Sequence, residues 1–274
     1  MNHPVVSGLS GIALLALALQ AQAIDLTPET FLDVNVGLAS DYRVGGLSLD
    51  QDEGPVLLTS ATLVHKISGL YAGVFTTNVE MGTQSNREWD YYVGIARPIT
   101  ENTRFSLTWV NYEYPGDSWI NFSEWIGTLG YRNATIGIKY ADDLQNPPAR
   151  AAAAKQVDQL IDWGVLPRTA AITTRPKERT IGWAEYDFYL PWQTKLNVRY
   201  GHTWTSDEQA WRSGSGDYRS GYSDWGVALI KRAYGLEWKA AYIDTDLSEA
   251  ECKNNFGKGG DCQATVVFSA SKRF

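Results

Sequence analysis

The chain has 274 residues, a formal charge of −7, and eleven Trp and fifteen Tyr among 44% hydrophobic residues. Its acidic balance lacks the basic footprint that phosphate backbones require, which excludes nucleic acid as a partner. Beyond the first two dozen residues no window approaches ~18 consecutive apolar positions, so helical membrane spans are excluded while strands, whose alternation hides an apolar face from any running average, are not.

The amino terminus carries an apolar run from Ile12 to Leu19 and then Ala21-Gln22-Ala23, the small-x-small pattern that signal peptidase cuts, so residues 1–23 read as a secretory signal and 24–274 as one exported domain. The segment before the apolar run holds no Lys or Arg, only the terminus and His3. About twelve strands follow, bounded by turn chemistry. The first is expected from Phe31 to Ala39, then Val56 to Lys66, Leu70 to Glu80, Arg87 to Pro98, Thr103 to Tyr114, and Trp119 to Tyr131. The seventh to eleventh are Ala134 to Ala141, Thr180 to Leu190, Thr194 to Thr205, Tyr222 to Arg232 and Tyr234 to Thr245; the last runs from Gln263 to the terminal Phe274.

Connections alternate in length. Ser68-Gly69, Thr100 to Asn102, Arg132-Asn133, Trp192-Gln193 and the Ala233 junction are tight; 40–55, 81–86, 115–118, 142–179, 206–221 and 246–262 are longer. Short turns on one rim, long loops on the other and an even strand count make the layout of an antiparallel transmembrane β-barrel of the outer-membrane type. Facing follows from parity. The fourth strand sets Trp89, Tyr91, Val93 and Ile95 against Glu88, Asp90 and Tyr92, and the ninth sets Leu196, Val198, Tyr200 and Trp204 against Lys195, Asn197 and Arg199. Lipid at the midplane penalises an ionised Arg or Lys by ~2–4 kcal/mol, so the charged parity is assigned to the lumen. The second and sixth strands leave two parities open: Val56/Leu58 against Leu57/Leu63, and Ile120/Phe122/Ile126 against Trp119/Trp125.

Within the longest loop, 142–179, the spacing of Ala153, Val157, Leu160 and Ile161 between Pro147-Pro148 and Gly164 predicts a helix over 149–163, as a cap on the rim, a lumen constriction or a partner contact. Cys252 and Cys262, the two cysteines of the chain, read as a short loop disulfide in an exported protein, with no neighbouring His or second Cys pair to complete a metal site. The acidic run Asp50 to Glu53 shows no EF-hand spacing and reads as solvated surface rather than a Ca²⁺ site.

The run Leu32 to Arg43, with Gly46 and Ser48 after it, resembles the opening signature of the TorF-type porins, a group of exported bacterial proteins of about this length. Gly69 to Val74, Asp90 to Gly94, Tyr112 to Gly116 and Asn121 to Trp125 are similar to its later blocks, in order, over Phe31 to Asp143. Where that family tends to place a second Arg, this chain has Val44-Gly45-Gly46 after a single Arg43, and the helical insert is longer. The resemblance implies a porin-like channel and no particular solute.

A barrel of about twelve strands lies between side-chain-filled and wide-channel sizes, so a narrow polar pore is expected. The residues expected to line it are Glu88, Asp90, Glu124, Glu185, Asp187, Lys195, Arg199 and Lys239, with Asp90, Glu124, Lys195 and Arg199 at the narrowest region. Inward acids and bases nearly balance, so no ion preference follows. The expected work is passive diffusion of small hydrophilic solutes, with no enzyme activity, catalytic residue, metal or cofactor. Outer-membrane lipid and, through Phe274, the barrel-assembly machinery are the expected partners. Two alternatives stand: a non-conducting structural or adhesive barrel, and a lipid hydrolase, for which His202 with Ser206 is a weak candidate because no nucleophile elbow is present.

Overall fold

The computed structural model describes residues 23–50, 54–80, 84–142, 144, 147–168, 178–206, 210–256 and 259–274. The expected signal segment, apart from Ala23, lies outside them, as do Gln51 to Glu53 of the acidic run and much of the longest loop.

Twelve strands form one closed antiparallel sheet. They are β1 (Thr30–Ala39), β2 (Val56–His65), β3 (Leu70–Asn78), β4 (Arg87–Pro98), β5 (Thr103–Glu113) and β6 (Phe122–Tyr131), then β7 (Ala134–Ala141), β8 (Arg179–Leu190), β9 (Thr194–Thr205), β10 (Gly221–Ala233), β11 (Leu236–Thr245) and β12 (Thr265–Arg273). Each pairs with the next, and β12 closes on β1 through Ser269 opposite Ala39 and Arg273 opposite Asn35. Closure matters because it leaves no edge strand with unpaired N–H and C=O groups.

A short strand, Ile24–Thr27, had no counterpart in the sequence reading. It pairs with Leu32 to Thr30 at the foot of β1, on the side where β12 has already ended. Phe274 and Val34 exchange backbone hydrogen bonds at 2.8 and 3.3 Å just above it. The amino-terminal strand therefore continues the closing rung past the carboxyl terminus.

Parity follows the expectation. Leu38, Val93, Leu107, Ile136, Ile138, Leu229 and Phe268 are exposed on the outer wall, while Asp33, Glu88, Asp90, Glu124, Lys139 and Arg199 are buried inside. Both open strands resolve the same way: Val56, Leu58, Phe122, Glu124 and Ile126 face in, and Leu57, Leu63 and Trp125 face out. The sixth strand begins at Phe122, three residues later than expected, because Ser118–Ile120 turns as a 3-10 helix. The eleventh begins at Leu236; Tyr234 and Gly235, at φ 57° and 74°, make the turn instead, and Tyr234 is 96% exposed. Trp192 and Gln193 adopt the same left-handed pair. These primed turns match the right-handed twist of the strands they join. Trp192, Tyr234 and Tyr189 ring the short-turn rim and Trp204, Tyr200 and Tyr140 the long-loop half, as aromatic girdles do.

The long loop holds a helix, α1 (Pro147–Asp162), which starts two residues earlier than expected. Prolines fit the first turn of a helix, whose N–H groups have no acceptor, so Pro147-Pro148 open it rather than bound it. Gly164, at φ 72°, closes it: its N–H bonds Ile161 O and the Val165 N–H bonds Leu160 O, a Schellman end. From Lys155 to Asp162 its residues are mostly exposed. A second helix, α2 (Glu249–Phe256), lies between β11 and β12, within the connection 246–262.

Candidate functional site

The lumen is built from the inward parity of all twelve strands, and its charges are sorted into cross-strand sets. On the β4 to β8 wall, Glu124 accepts from Lys139 at 3.1 Å, from Arg179 at 3.3 Å and from the Tyr112 hydroxyl. Glu88 is held by two phenols, Tyr42 at 2.8 Å and Tyr114 at 2.7 Å. Asp90, 0% exposed, lies against the Glu88 carboxyl, and among the described residues no N–H or hydroxyl donor reaches either of its oxygens.

The β8 to β11 wall carries the second set. Asp187 accepts from Lys195 at 3.1 Å and Asn197 at 2.8 Å, Arg199 binds Asp224, and Glu185 stands opposite Arg199 in the strand register. Lys239 projects from β11 near Glu237, Lys195 and Glu185. At the seam Arg273 forks onto Asp33. The eight residues expected to line the pore lie on the inward strand parity, with Asp90 and Glu124 on one wall and Lys195 and Arg199 on the other. The balance of signs seen in the sequence is largely a set of ion pairs.

Glycines admit the tyrosines. Gly73 stands opposite Tyr92 and Gly94 opposite Tyr71, and a Cβ on either glycine would collide with the facing ring. The phenols then reach onward, Tyr92 to Thr62 at 2.6 Å and Tyr71 to Thr108. This interlock explains why two of the sequence blocks pair Tyr with Gly at fixed spacing.

The first long loop supplies what parity could not. Arg43–Val44 and Leu47–Ser48 pair as a small hairpin around Gly45 and Gly46, both at positive φ (58° and 82°), the geometry of a two-residue primed turn. The hairpin folds inward across the outer mouth. At one end Tyr42 packs on Phe75 of β3 and donates to Glu88 of β4. At the other, a Cβ on Gly45 would stand 2.9 Å from the Tyr222 hydroxyl, and one on Gly46 would collide with Thr245 and sit 3.1 Å from Asp224. Burial pushes the Tyr42 phenol well above its usual titration, and the neighbouring Glu88 charge adds to this, so it stays a hydrogen-bond donor.

The hairpin is latched to the last long loop. Arg43 donates to Gly46 O at 2.9 Å and to Gln263 O at 3.0 Å and pairs with Asp41, which also accepts from Ser48 at 2.7 Å. Leu47 packs into a cluster of Trp211, Tyr222, Leu247, Cys252 and Cys262. Cys252 and Cys262 form the expected disulfide. The signature residues from Asp41 to Ser48 are therefore the hairpin and its braces. A Gly-Gly pair is a recognised hairpin-turn signal, but nothing in the sequence says that a loop hairpin points inward.

His202 does not meet Ser206. Its Nδ1 lies 2.8 Å from Ser223 Oγ, the residue opposite it in the register, and the Tyr200 hydroxyl donates to the same oxygen at 2.9 Å. Among the described residues no carboxylate bonds the second ring nitrogen, and no group of three or more His, Cys, Asp or Glu is placed to hold a metal ion.

Residues 23–146 match a family described as a bacterial protein of unknown function (Gcw_chp). That match spans the stretch carrying the resemblance to TorF-type porins but stands for a family without an assigned function. No curated protein matches. Among solved structures, the NanC porin has a TM-score of 0.46 at 10% identity, covering 88% of this chain and 97% of that one. A porin refined at 1.8 Å gives 0.38 at 12% identity over 80% and 62% of the two chains. OprD of Pseudomonas aeruginosa gives 0.38 at 8% identity over 92% and 68%.

Proposed function

We propose that this barrel sits in the bacterial outer membrane and passes small hydrophilic solutes by passive diffusion, its outer mouth narrowed by the first-loop hairpin. The observation that carries this reading is the inversion of the wall: aliphatic and aromatic side chains cover the outside while carboxylates, ammonium and guanidinium groups fill the inside. That arrangement suits a barrel with lipid outside and a polar interior. Export through removal of residues 1–23 and recognition of the strand ending in Phe274 by the assembly machinery belong to the same proposal. The lumen's work needs no cofactor and no covalent chemistry.

Planar-bilayer recording on the purified full chain tests it. The expected result is small, discrete conductance steps, and larger ones after Arg43 to Ser48 is replaced by a two-glycine linker. If neither protein conducts and liposomes containing either one admit no neutral, acidic or basic solute, the structural-barrel alternative takes its place.

A further inference from the structure

The outer wall holds one feature that diffusion through the lumen does not use. Between β8 and β9 a groove of about 480 Å³ is lined by Gly182, Trp183, Ala184, Tyr200, His202 and Trp204. Gly182, Ala184, Tyr200, His202 and Trp204 share the outward parity, so the groove opens toward lipid. Its floor is low because Gly182 and Ala184 offer almost no side chain; a Cβ on Gly182 would already touch the Trp204 ring at 3.2 Å. That volume falls in the range of small-molecule sites.

At its edge runs a chain of polar groups, from the Tyr200 hydroxyl to Ser223 Oγ to His202 Nδ1. Polar side chains on a lipid-facing wall lower their cost by finding partners. Here the chain satisfies Ser223 and one histidine nitrogen and leaves Nε2 over Gly221, where a Cβ would stand 3.1 Å from it. His202 lies three residues short of Thr205, where β9 ends on the long-loop side, or about 10 Å down the strand at ~3.3 Å per residue. An apolar trough flanked by aromatic rings, ending at an imidazole nitrogen that none of the described residues bonds, complements an amphiphile.

We infer that this groove is a binding site for one membrane phospholipid, its acyl chain over Gly182 and Ala184 between Tyr200 and Trp204, and an ester or phosphate oxygen at His202 Nε2. The site depends on the outer wall facing lipid and not on the lumen conducting.

Native mass spectrometry of the full chain in dodecyl maltoside micelles with added dimyristoyl phosphatidylglycerol tests it, alongside Ala184→Leu, which fills the trough, and His202→Ala, which removes the head contact. Heat-modifiable gel mobility reports whether each variant is a folded barrel, and Val93→Leu, on a distant part of the lipid-facing wall, is the control. One lipid retained per barrel in the wild type and in Val93→Leu, with at least tenfold less retention in both groove variants, is the expected result. Equal retention in all four proteins, loss in the control as well, or none in the wild type would overturn the site. Free fatty acid released by the wild type but not by Ser223→Ala would overturn it in favour of hydrolysis.

Discussion

Glu124 and Asp90 are both buried lumen carboxylates, yet their surroundings predict opposite responses to losing the charge. Glu124 answers two cations and a phenol, so Glu124→Gln takes from Lys139 and Arg179 the carboxylate that bonds both, leaving Lys139 only the more distant Glu88 and Asp90. Breaking such a set costs ~3–5 kcal/mol, and urea unfolding of the detergent-solubilised barrel should show a loss of that order. Among the described residues Asp90 has only the Glu88 carboxyl as a hydrogen-bond partner, a bond that exists only while one of the two carries a proton. Asp90→Asn supplies an amide donor toward Glu88 and is expected to raise the urea midpoint; a lowered midpoint would show that the negative charge is itself needed there. Parity placed Asp90 in the lumen from sequence alone, whereas Glu124 lies on the sixth strand, whose facing alternation left open. Parity was silent on the partners of both, because which cation lies across from which acid depends on strand register, and a slip of two residues preserves facing while exchanging every neighbour.

Elements with a local signature were legible, and those fixed by distant contacts were not. Twelve strands follow from alternation and turn chemistry, and the α1 helix from spacing and Gly164. The α2 helix was missed although its signal is present: Ser248 and Glu251 form a capping box, with the Ser248 N–H donating to Glu251 at 2.8 Å and the Glu251 N–H to Ser248 Oγ at 3.3 Å. Burial raises the Glu251 carboxyl, but Ser248 and then Arg219 outweigh it and hold it below its usual range. A carboxyl depressed in the folded state contributes stability that is complete above its unfolded value of ~4.3 and fades as pH falls through the folded one. Amide protection across 248–256, taken relative to the intrinsic exchange rate at each pH, should therefore fall below about pH 4, and Glu251→Gln should lower it at neutral pH and flatten the acid response. The inward hairpin was out of reach for a different reason. Its turn is local, but its direction is set by Phe75, Glu88, Tyr222 and Thr245, all remote in sequence. Gly46→Val collides with Thr245 and forces a branched side chain to φ 82°, so the hairpin should lift and single-channel conductance should rise; unchanged conductance would show that the hairpin does not limit flow.

For the whole molecule the decisive contact is the one that turns a sheet into a barrel. Every other strand pair is joined by a turn or loop of its own, whereas β12 meets β1 across nearly the full length of the chain, and nothing local guides it. The seam is shorter than its neighbours: its register runs from Ser269 to Arg273, extended downward by the two hydrogen bonds between Phe274 and Val34 and fixed sideways by Arg273 on Asp33. Below Phe274 the Ile24–Thr27 strand covers the rest of the β1 edge, and Asp25 ties it to Lys66 at 2.6 Å. The two termini therefore share one rung. Arg273→Ala leaves Asp33 buried without its cation, so it should lower both the yield of folded barrel and its stability by ~3–5 kcal/mol. Deleting Phe274 removes a pair of backbone bonds and the apolar end of the rung while sparing the lumen. It should slow assembly, seen as an unfolded gel species that persists during folding into vesicles, more than it weakens the barrel once closed. Deleting residues 24–27 should do the reverse, because that strand adds to β1 only where β12 has ended: folding kinetics stay near those of the wild type while the urea midpoint falls. If both deletions slow folding equally, the amino-terminal strand takes part in closure rather than covering an edge left by it.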